Sequence, residues 1–195
     1  MLCGGQSLRM GRSKAWLPID GELMLQRIVR IVQQAVSPVI VVAACGQELP
    51  VLPESVHLVR DAKENRGPLQ GLTTGLTAIA DQCDAVFLSS CDVPFLQTDF
   101  VRFILAHLGD DLIAVPFADG IAHPLASAYR IEVLPIAQEL LASNHRRMSS
   151  LIERCRTRIV PAEELASIDP SLRSLWNLNS PEDYALALQN LDNVS

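Results

Sequence analysis

The stretch Leu2 to Lys14, LCGGQSLRMGRSK, places two adjacent glycines, two arginines and a lysine directly after an apolar stub. Gly4 and Gly5 carry no Cβ, so the backbone can approach a ligand closely and turn its N–H groups toward phosphate oxygens. Arg9 and Lys14 add full positive charges, the first as a planar fork and the second as a point charge. The segment is no Walker loop, since Gly11 is followed by Arg12 where the motif requires lysine, and it does not match the dinucleotide fingerprint GxGxxG. The chemistry on offer is phosphate binding. The charges alone would equally suit an ordinary loop with solvated basic residues.

A second cluster, SSCDVPFL, puts Asp92 just beyond the strand-like run Ala85 to Ser89 and two residues before Pro94. A carboxylate at the end of a buried strand points into the crevice where open α/β sheets bind ligands. It could hold Mg²⁺ through one oxygen while waters and phosphates complete the shell. The competing role is to cap a helix expected to begin near Gln97, for which Thr98 is an equally good cap. Of the histidines, His57 and His107 are expected to be structural, and none of the four lies in a catalytic motif. Arg146 and Arg147 read by default as a solvated helix start, the alternative being contact with a ligand phosphate.

The elements that must position these groups follow from periodicity. Pro38 to Ala44 (PVIVVAA) is an apolar, β-branched run, the mark of a strand buried on both faces of a parallel sheet. Val56 to Val59, Ala85 to Ser89 and Leu112 to Pro116 read the same way. Ile28, Ile31, Val32 and Ala35 recur at helical spacing, as do Leu69, Leu72, Leu76 and Ile79 after Pro68. In SPEDYALAL, Ser180 can cap a helix, Pro181 suits its first turn, and Asp183 completes a capping box. Ala162 to Arg173 carries no clear signal. Strands separated by helices imply βαβ units and a three-layer α/β sandwich. The opening loop, RDAKENRGPLQG and SSCDVP then converge at the carboxyl ends of the strands.

Composition narrows the functional class. The 195 residues suit one domain, 1–195, with enough chain to bury a core. Five scattered cysteines without CxxC spacing point to free thiols in a reducing cytoplasm. No apolar run has the length of a membrane span. The net charge of −6 gives nothing to attract nucleic acid.

Taken together, the motifs resemble those of a known family. LCGGQSLRMGRSK is similar to the signature LAGGxSxRMGxxK of the molybdenum cofactor guanylyltransferases, within the wider nucleoside-triphosphate transferase family. RGPLQGLTTGL resembles that family's GPLxGL segment and SCDVPFL its metal loop. HPLASAYR resembles its later strand, and NLNSPEDY its terminal NxNTPED motif. The resemblance implies an α/β/α sandwich with a Rossmann-like, mainly parallel sheet of the nucleotide-diphospho-sugar transferase type. It implies transfer of GMP from GTP to molybdopterin with Mg²⁺ and release of pyrophosphate, with molybdoenzyme maturation proteins as further partners.

Carried over by position, Leu2, Gly4 and Gly5 match the nucleotide-binding start of the signature, and Arg9 and Lys14 its phosphate-binding, catalytic pair. Asp61 corresponds to a nucleotide-binding aspartate, and Asp92 to the magnesium ligand, which is also catalytic and nucleotide-binding. Asn177 and Asn179 match the terminal asparagines on the pterin side, where His123, beside Pro124, is a further candidate contact. Cys3 replaces the usual alanine and should be tolerated, while Ser13 stands where many members carry Asp. Only Met1 precedes Leu2, so the family's central first strand is expected to be cut short, at a cost in stability more than in chemistry. Gly4, where cytidylyl relatives read LAAG, leaves room for a purine and favours guanine. A CTP-dependent cytidylyltransferase of molybdopterin or another small phosphate, and a non-catalytic nucleotide-binding module, remain as alternatives.

Overall fold

The structure is a computed structural model that describes residues 1–3, 13–61 and 66–192. Gly4, Gly5 and Arg9 lie outside the described residues. The described chain resumes at Ser13 and forms a small hairpin of β1 (Pro18–Ile19) and β2 (Glu22–Leu23), which turns at Asp20 and Gly21. Helix α1 (Met24–Gln33) follows, and buries Met24, Leu25, Ile28, Val29, Ile31 and Val32 on one face.

Strand β3 (Val39–Ala44) pairs in parallel with β4 (Val56–Asp61). Helix α2 (Gly67–Ile79) leads to β5 (Ala85–Ser89), α3 (Thr98–Ala106), β6 (Ile113–Ala118), β7 (Ile121–Ala122) and β8 (Ala126–Arg130). Helices α4 (Val133–Ala142) and α5 (Met148–Arg154), strand β9 (Thr157–Pro161), the short α6 (Ala162–Leu165) and α7 (Pro181–Asp192) complete the order. The stretch Ala162 to Arg173, silent in sequence, holds α6 and turns.

Met1 to Cys3 joins two groups of strands into one sheet. Leu2 bridges Val42 on one side and Ser90 on the other, both in parallel. The resulting order is β4, β3, the Met1–Cys3 segment, β5, β8, β6 and β9. β8 runs antiparallel to both β5 and β6, and β9 is parallel to β6. All strands on this path except β8 therefore point one way, as expected of a mainly parallel sheet.

Helices cover both faces. Met1, Cys3, α1 and α3 bury one apolar layer, which includes Ile28, Phe100 and Ile104. On the other face Leu69, Leu72 and Leu76 of α2 pack with Val133 and Ala137 of α4 and Leu151 of α5. One expectation fails here. β4 is an edge strand, and its residues are half-buried or exposed, with Leu58 45% exposed. A short β-branched run does not distinguish an edge strand from a central one.

Two glycines of GPLQGLTTGL are explained by packing. Gly67 opens α2 with φ +74°, and a Cβ there would stand 3.1 Å from the Arg146 carbonyl oxygen. A Cβ on Gly71 would meet Leu2 Cδ2 at 2.9 Å, so α2 lies against the central segment of the sheet.

Candidate functional site

The carboxyl ends of β4, β3, the Met1–Cys3 segment and β5 form one edge of the sheet, and most predicted site residues stand along it. Asp92 lies in the turn after β5. Its Oδ2 accepts a hydrogen bond from Lys14 Nζ at 2.7 Å, and its Oδ1 accepts one from Ser90 Oγ at 2.6 Å. Lys14 reaches it from a single 3₁₀ turn, Lys14–Trp16, that follows the segment 4–12. The two side chains are 18% and 17% exposed, so the ion pair is sheltered yet open to a ligand.

This arrangement removes the capping role considered for Asp92. Helix α3 begins at Thr98 after Gln97 with no side-chain cap bond. Thr98 is no cap either, since its hydroxyl donates to Ile31 O and pairs with Gln34 Oε1 at the end of α1.

The backbone around Asp92 is held from several directions. Cys91 N–H donates to Leu2 O at 3.1 Å, and Leu178 N–H donates to Asp92 O at 2.9 Å. Arg27 Nε donates to Pro94 O at 3.0 Å. Phe95, the aromatic of SSCDVPFL, stacks on Trp176 with centroids 5.2 Å apart, and the Arg173 guanidinium lies 4.0 Å over its ring. Asp169, itself buried, accepts from the Arg173 and Ser174 amides and fixes that turn. The terminal motif is thus folded back onto the Asp92 turn.

Asn177 and Asn179 flank buried Leu178 and are exposed beside this turn. The Asn179 and Ser180 amides donate to Asp183 Oδ2, and the Asp183 amide donates to Ser180 Oγ at 3.1 Å, the expected capping box. Asp61 ends β4 opposite Ala44, on the same edge as Asp92. It lines a hollow of about 580 Å³ with Arg66, Gln70 and Thr73, whereas Lys14 and Asp92 do not line it. Among the described residues, then, Lys14 and Asp92 touch each other, and Asp61 stands apart from them by three strand spacings of about 4.8 Å each.

His123 precedes β8, whose start pairs with the end of β5, so it too stands on this edge. Its backbone amide donates to Pro116 O at 2.9 Å, and its Nε2 is buried with no hydrogen-bond partner. Burial holds its pKa below the ordinary 6.5, which keeps the ring neutral. His107 is structural as expected: Nδ1 pairs with Phe103 O at 2.8 Å and Nε2 lies 3.4 Å from Glu164. Arg146 bonds Asn144 Oδ1 at the start of α5, in keeping with a solvated helix start.

Sequence reasoning missed three positioning residues. Ser90 lies inside the quoted SSCDVPFL, yet only the structure shows its hydroxyl on Asp92. Gln47 donates to Cys3 O at 2.9 Å and accepts from Ala44 N–H at 3.1 Å, tying the end of β3 to the residue before the glycine pair. Arg27 gave no signal beyond a polar position on an amphipathic helix. Cys3 is accommodated as expected. It is buried and hydrogen-bonded with Cys91, which holds the Cys3 thiol below its ordinary value.

The donor set suits a hard cation shared with a ligand. Asp92 offers oxygen only, and each of its oxygens keeps a lone pair beyond the bond it already accepts. Among the described residues no group of three or more His, Cys, Asp or Glu could hold a metal unaided. A single carboxylate such as Asp92 could hold Mg²⁺ only together with substrate phosphates and water. No helix among the described residues is long and apolar enough to cross a membrane.

Comparison with known proteins identifies the family and the fold. Residues 1–159 match the MobA-like NTP transferase domain. A probable molybdenum cofactor guanylyltransferase of Mycobacterium bovis is 35% identical over 186 residues, which cover 92% of this chain and 87% of that protein. Molybdopterin-guanine dinucleotide biosynthesis protein A of Archaeoglobus fulgidus superposes with a TM-score of 0.79 at 19% identity, over 98% of this chain and 97% of that one. The 2-C-methyl-D-erythritol 4-phosphate cytidylyltransferase of Thermus thermophilus superposes with a TM-score of 0.70 at 15% identity, over 92% and 94% of the two chains. These last two likenesses establish the fold.

Proposed function

The chain belongs to the MobA-like NTP transferase family, and on that premise we propose that it transfers GMP from GTP to molybdopterin and releases pyrophosphate. As a member of that family it is a nucleotidyltransferase. The observation that carries the finer reading is the Lys14–Asp92 pair at the carboxyl edge of the sheet, directly after a segment that resembles the guanylyltransferase signature.

Nucleotidyl transfer depends on positioning and electrostatic stabilisation, with little covalent work for the protein. The attacking group is the terminal phosphate of molybdopterin. A phosphate monoester has a second pKa of ~6, so it is largely ionised at neutral pH and needs no general base. The neutral His123 is consistent with a contact role and no proton transfer.

Lys14 exchanges its carboxylate partner for triphosphate oxygens and, with Arg9, offsets the charge that builds on the departing pyrophosphate. Asp92, released from Lys14, is the carboxylate that would hold Mg²⁺, with Ser90 keeping its orientation. When bound, Mg²⁺ supplies charge neutralisation between nucleotide phosphates and the attacking phosphate. Leu2, Gly4 and Gly5 contact the nucleotide, and Asp61 its far side. The exposed Asn177 and Asn179, with His123, face the pterin. Molybdoenzyme maturation proteins would receive the product.

The test is pyrophosphate release with molybdopterin and Mg²⁺, comparing GTP with CTP. Release with GTP and little with CTP supports the reading. Preference for CTP would assign the chain to cytidylyl transfer, and no release with either would leave a nucleotide-binding module.

A further inference from the structure

Two thiols sit side by side where the central segment of the sheet meets the Asp92 turn, and nucleotidyl transfer uses neither. Leu2 pairs with Ser90 in parallel, Leu2 N–H donates to Ser89 O at 2.7 Å, and Cys91 N–H donates to Leu2 O at 3.1 Å. The next step of the same ladder sets Cys3 opposite Cys91. Both side chains belong to the apolar layer on the α1–α3 face. They are 4% and 9% exposed.

Neighbouring strands stand about 4.8 Å apart, so the two Cα atoms fall inside the span of about 4.4–6.8 Å that a disulfide bridges. Facing Cβ atoms at that spacing must still close to about 3.5–4.5 Å before the sulfurs can bond. The thiols already touch, with Cys91 donating to Cys3 Sγ. Gln47 Nε2 also donates to Cys3 Sγ, at 3.9 Å, while it holds Cys3 O. Two donors on one sulfur favour negative charge there, which makes Cys3 the nucleophile of the pair. The other cysteines are placed differently. Cys45 is exposed in the turn after β3, Cys83 follows α2, and Cys155 lies in the opposite apolar layer.

We propose that Cys3 and Cys91 form a redox couple whose disulfide displaces the Asp92 turn and switches the site off. The oxidant is a hydroperoxide, in its simplest form hydrogen peroxide. Cys3 sulfur attacks one peroxide oxygen, the O–O bond breaks, and water leaves with the Cys3 proton, giving a sulfenic acid on Cys3. Cys91 sulfur then attacks Cys3 sulfur, the S–O bond breaks, and the hydroxyl departs with the Cys91 proton as a second water. Two thiols thus give two electrons and two protons to one peroxide. A dithiol reductant reverses the bond by exchange.

The effect follows from position. Cys91 precedes Asp92, so closing the pair draws residue 91 toward the central segment by up to about 1 Å. Lys14 Nζ and Ser90 Oγ meet Asp92 at 2.7 and 2.6 Å, and a shift of that size breaks such contacts. A misplacement of about 1 Å costs about 10²-fold in rate where reaction depends on positioning. The loss of turnover rests on the nucleotidyl-transfer reading, whereas the disulfide and the shifted turn do not.

The experiment treats the folded 195-residue chain with hydrogen peroxide, blocks the remaining thiols and maps the cysteines by mass spectrometry. A Cys3–Cys91 bond should form, and pyrophosphate release should fall by about tenfold or more and return with dithiothreitol. Amide hydrogen exchange at Leu178, whose N–H donates to Asp92 O, should quicken by about tenfold as the turn moves. That readout needs no substrate. Cys3→Ala and Cys91→Ala should each keep turnover when reduced and resist the oxidant. Three results would overturn the proposal: Cys3 and Cys91 left unlinked while Cys45 is oxidised, a bond from Cys45 to either, or a Cys3–Cys91 bond that changes neither exchange nor turnover. A chain that releases no pyrophosphate even when reduced ends the functional reading instead, and mapping with exchange still decides the switch.

Discussion

Replacing Asp92 by Asn should separate turnover from nucleotide binding. The amide can turn its oxygen to Lys14 Nζ and its NH₂ to Ser90 Oγ, so both contacts (2.7 and 2.6 Å in the native chain) can persist while the negative charge is lost. A hydrogen bond to a charged group contributes about 1.5–3 kcal/mol. The side chains of the pair keep 17–18% exposure, and a neutral bond remains, so the loss should be about 1 kcal/mol. For a chain of this length that corresponds to a Tm lower by about 2–4 °C. Turnover should fall on the order of 10²-fold or more, the usual cost of removing a charge-stabilising group. Without Mg²⁺, GTP should bind several-fold more tightly, since Lys14 no longer shares its charge and a like-charged carboxylate is gone. Steady-state pyrophosphate release and metal-free calorimetry, after a melting check, measure both. Near-native turnover in Mg²⁺, or metal-free affinity reduced by about tenfold or more, would refute the assignment of Asp92 and the coupling to Lys14.

Lys14→Ala should raise KM for GTP and lower kcat, because the same ammonium grips the triphosphate and steadies the departing pyrophosphate; a change in neither, in folded protein, removes Lys14 from the site. Gly67→Ala forces a side chain into φ +74° and to within 3.1 Å of Arg146 O, so it should cost about 2 kcal/mol and lower Tm by roughly 4–8 °C. Stability should also depend on pH through the Met1 amine, beside Cys3 and Cys91, whose folded pKa is lowered from 8.0 to about 6. Its charged form is the disfavoured one in the native state. Stability is therefore fully present above pH 8 and declines as pH falls toward 6, by roughly 2–3 kcal/mol in all. A flat Tm between pH 6 and 8 would show that the amine is not buried as described.

What the sequence disclosed and what it withheld divide along physical lines. Regular periodicity and local bonding were readable. The α2 stripe, the strands β3, β5 and β6, and the Ser180–Asp183 capping box all depend on residues near one another in the chain. The place of Asp92 at the carboxyl edge was readable because it closely follows the apolar run Ala85 to Ser89, and strand ends in such sheets meet at that edge. The Lys14–Asp92 ion pair was not, since it joins positions 78 apart and depends on how the 3₁₀ turn meets the β5 end. Gln47 and Ser90 carry no motif of their own, because a positioning hydrogen bond needs a donor in the right place more than a particular residue type. β4 was misjudged as doubly buried because its place at the sheet edge is set by topology, which the run VHLV does not encode.

The segment Met1 to Cys3 joins β3 and the end of β5 through one ladder. Its hydrogen bonds to Ile40, Val42, Ser89 and Cys91 set where the chain leaves the sheet toward the glycine pair. The Cys91 end of the same ladder sets where the Asp92 turn begins. Gln47 adds a bond to Cys3 O from the β3 side. One short segment thus fixes both the end of β3 and the start of the Asp92 turn, so a substitution that loosens this ladder should shift both together.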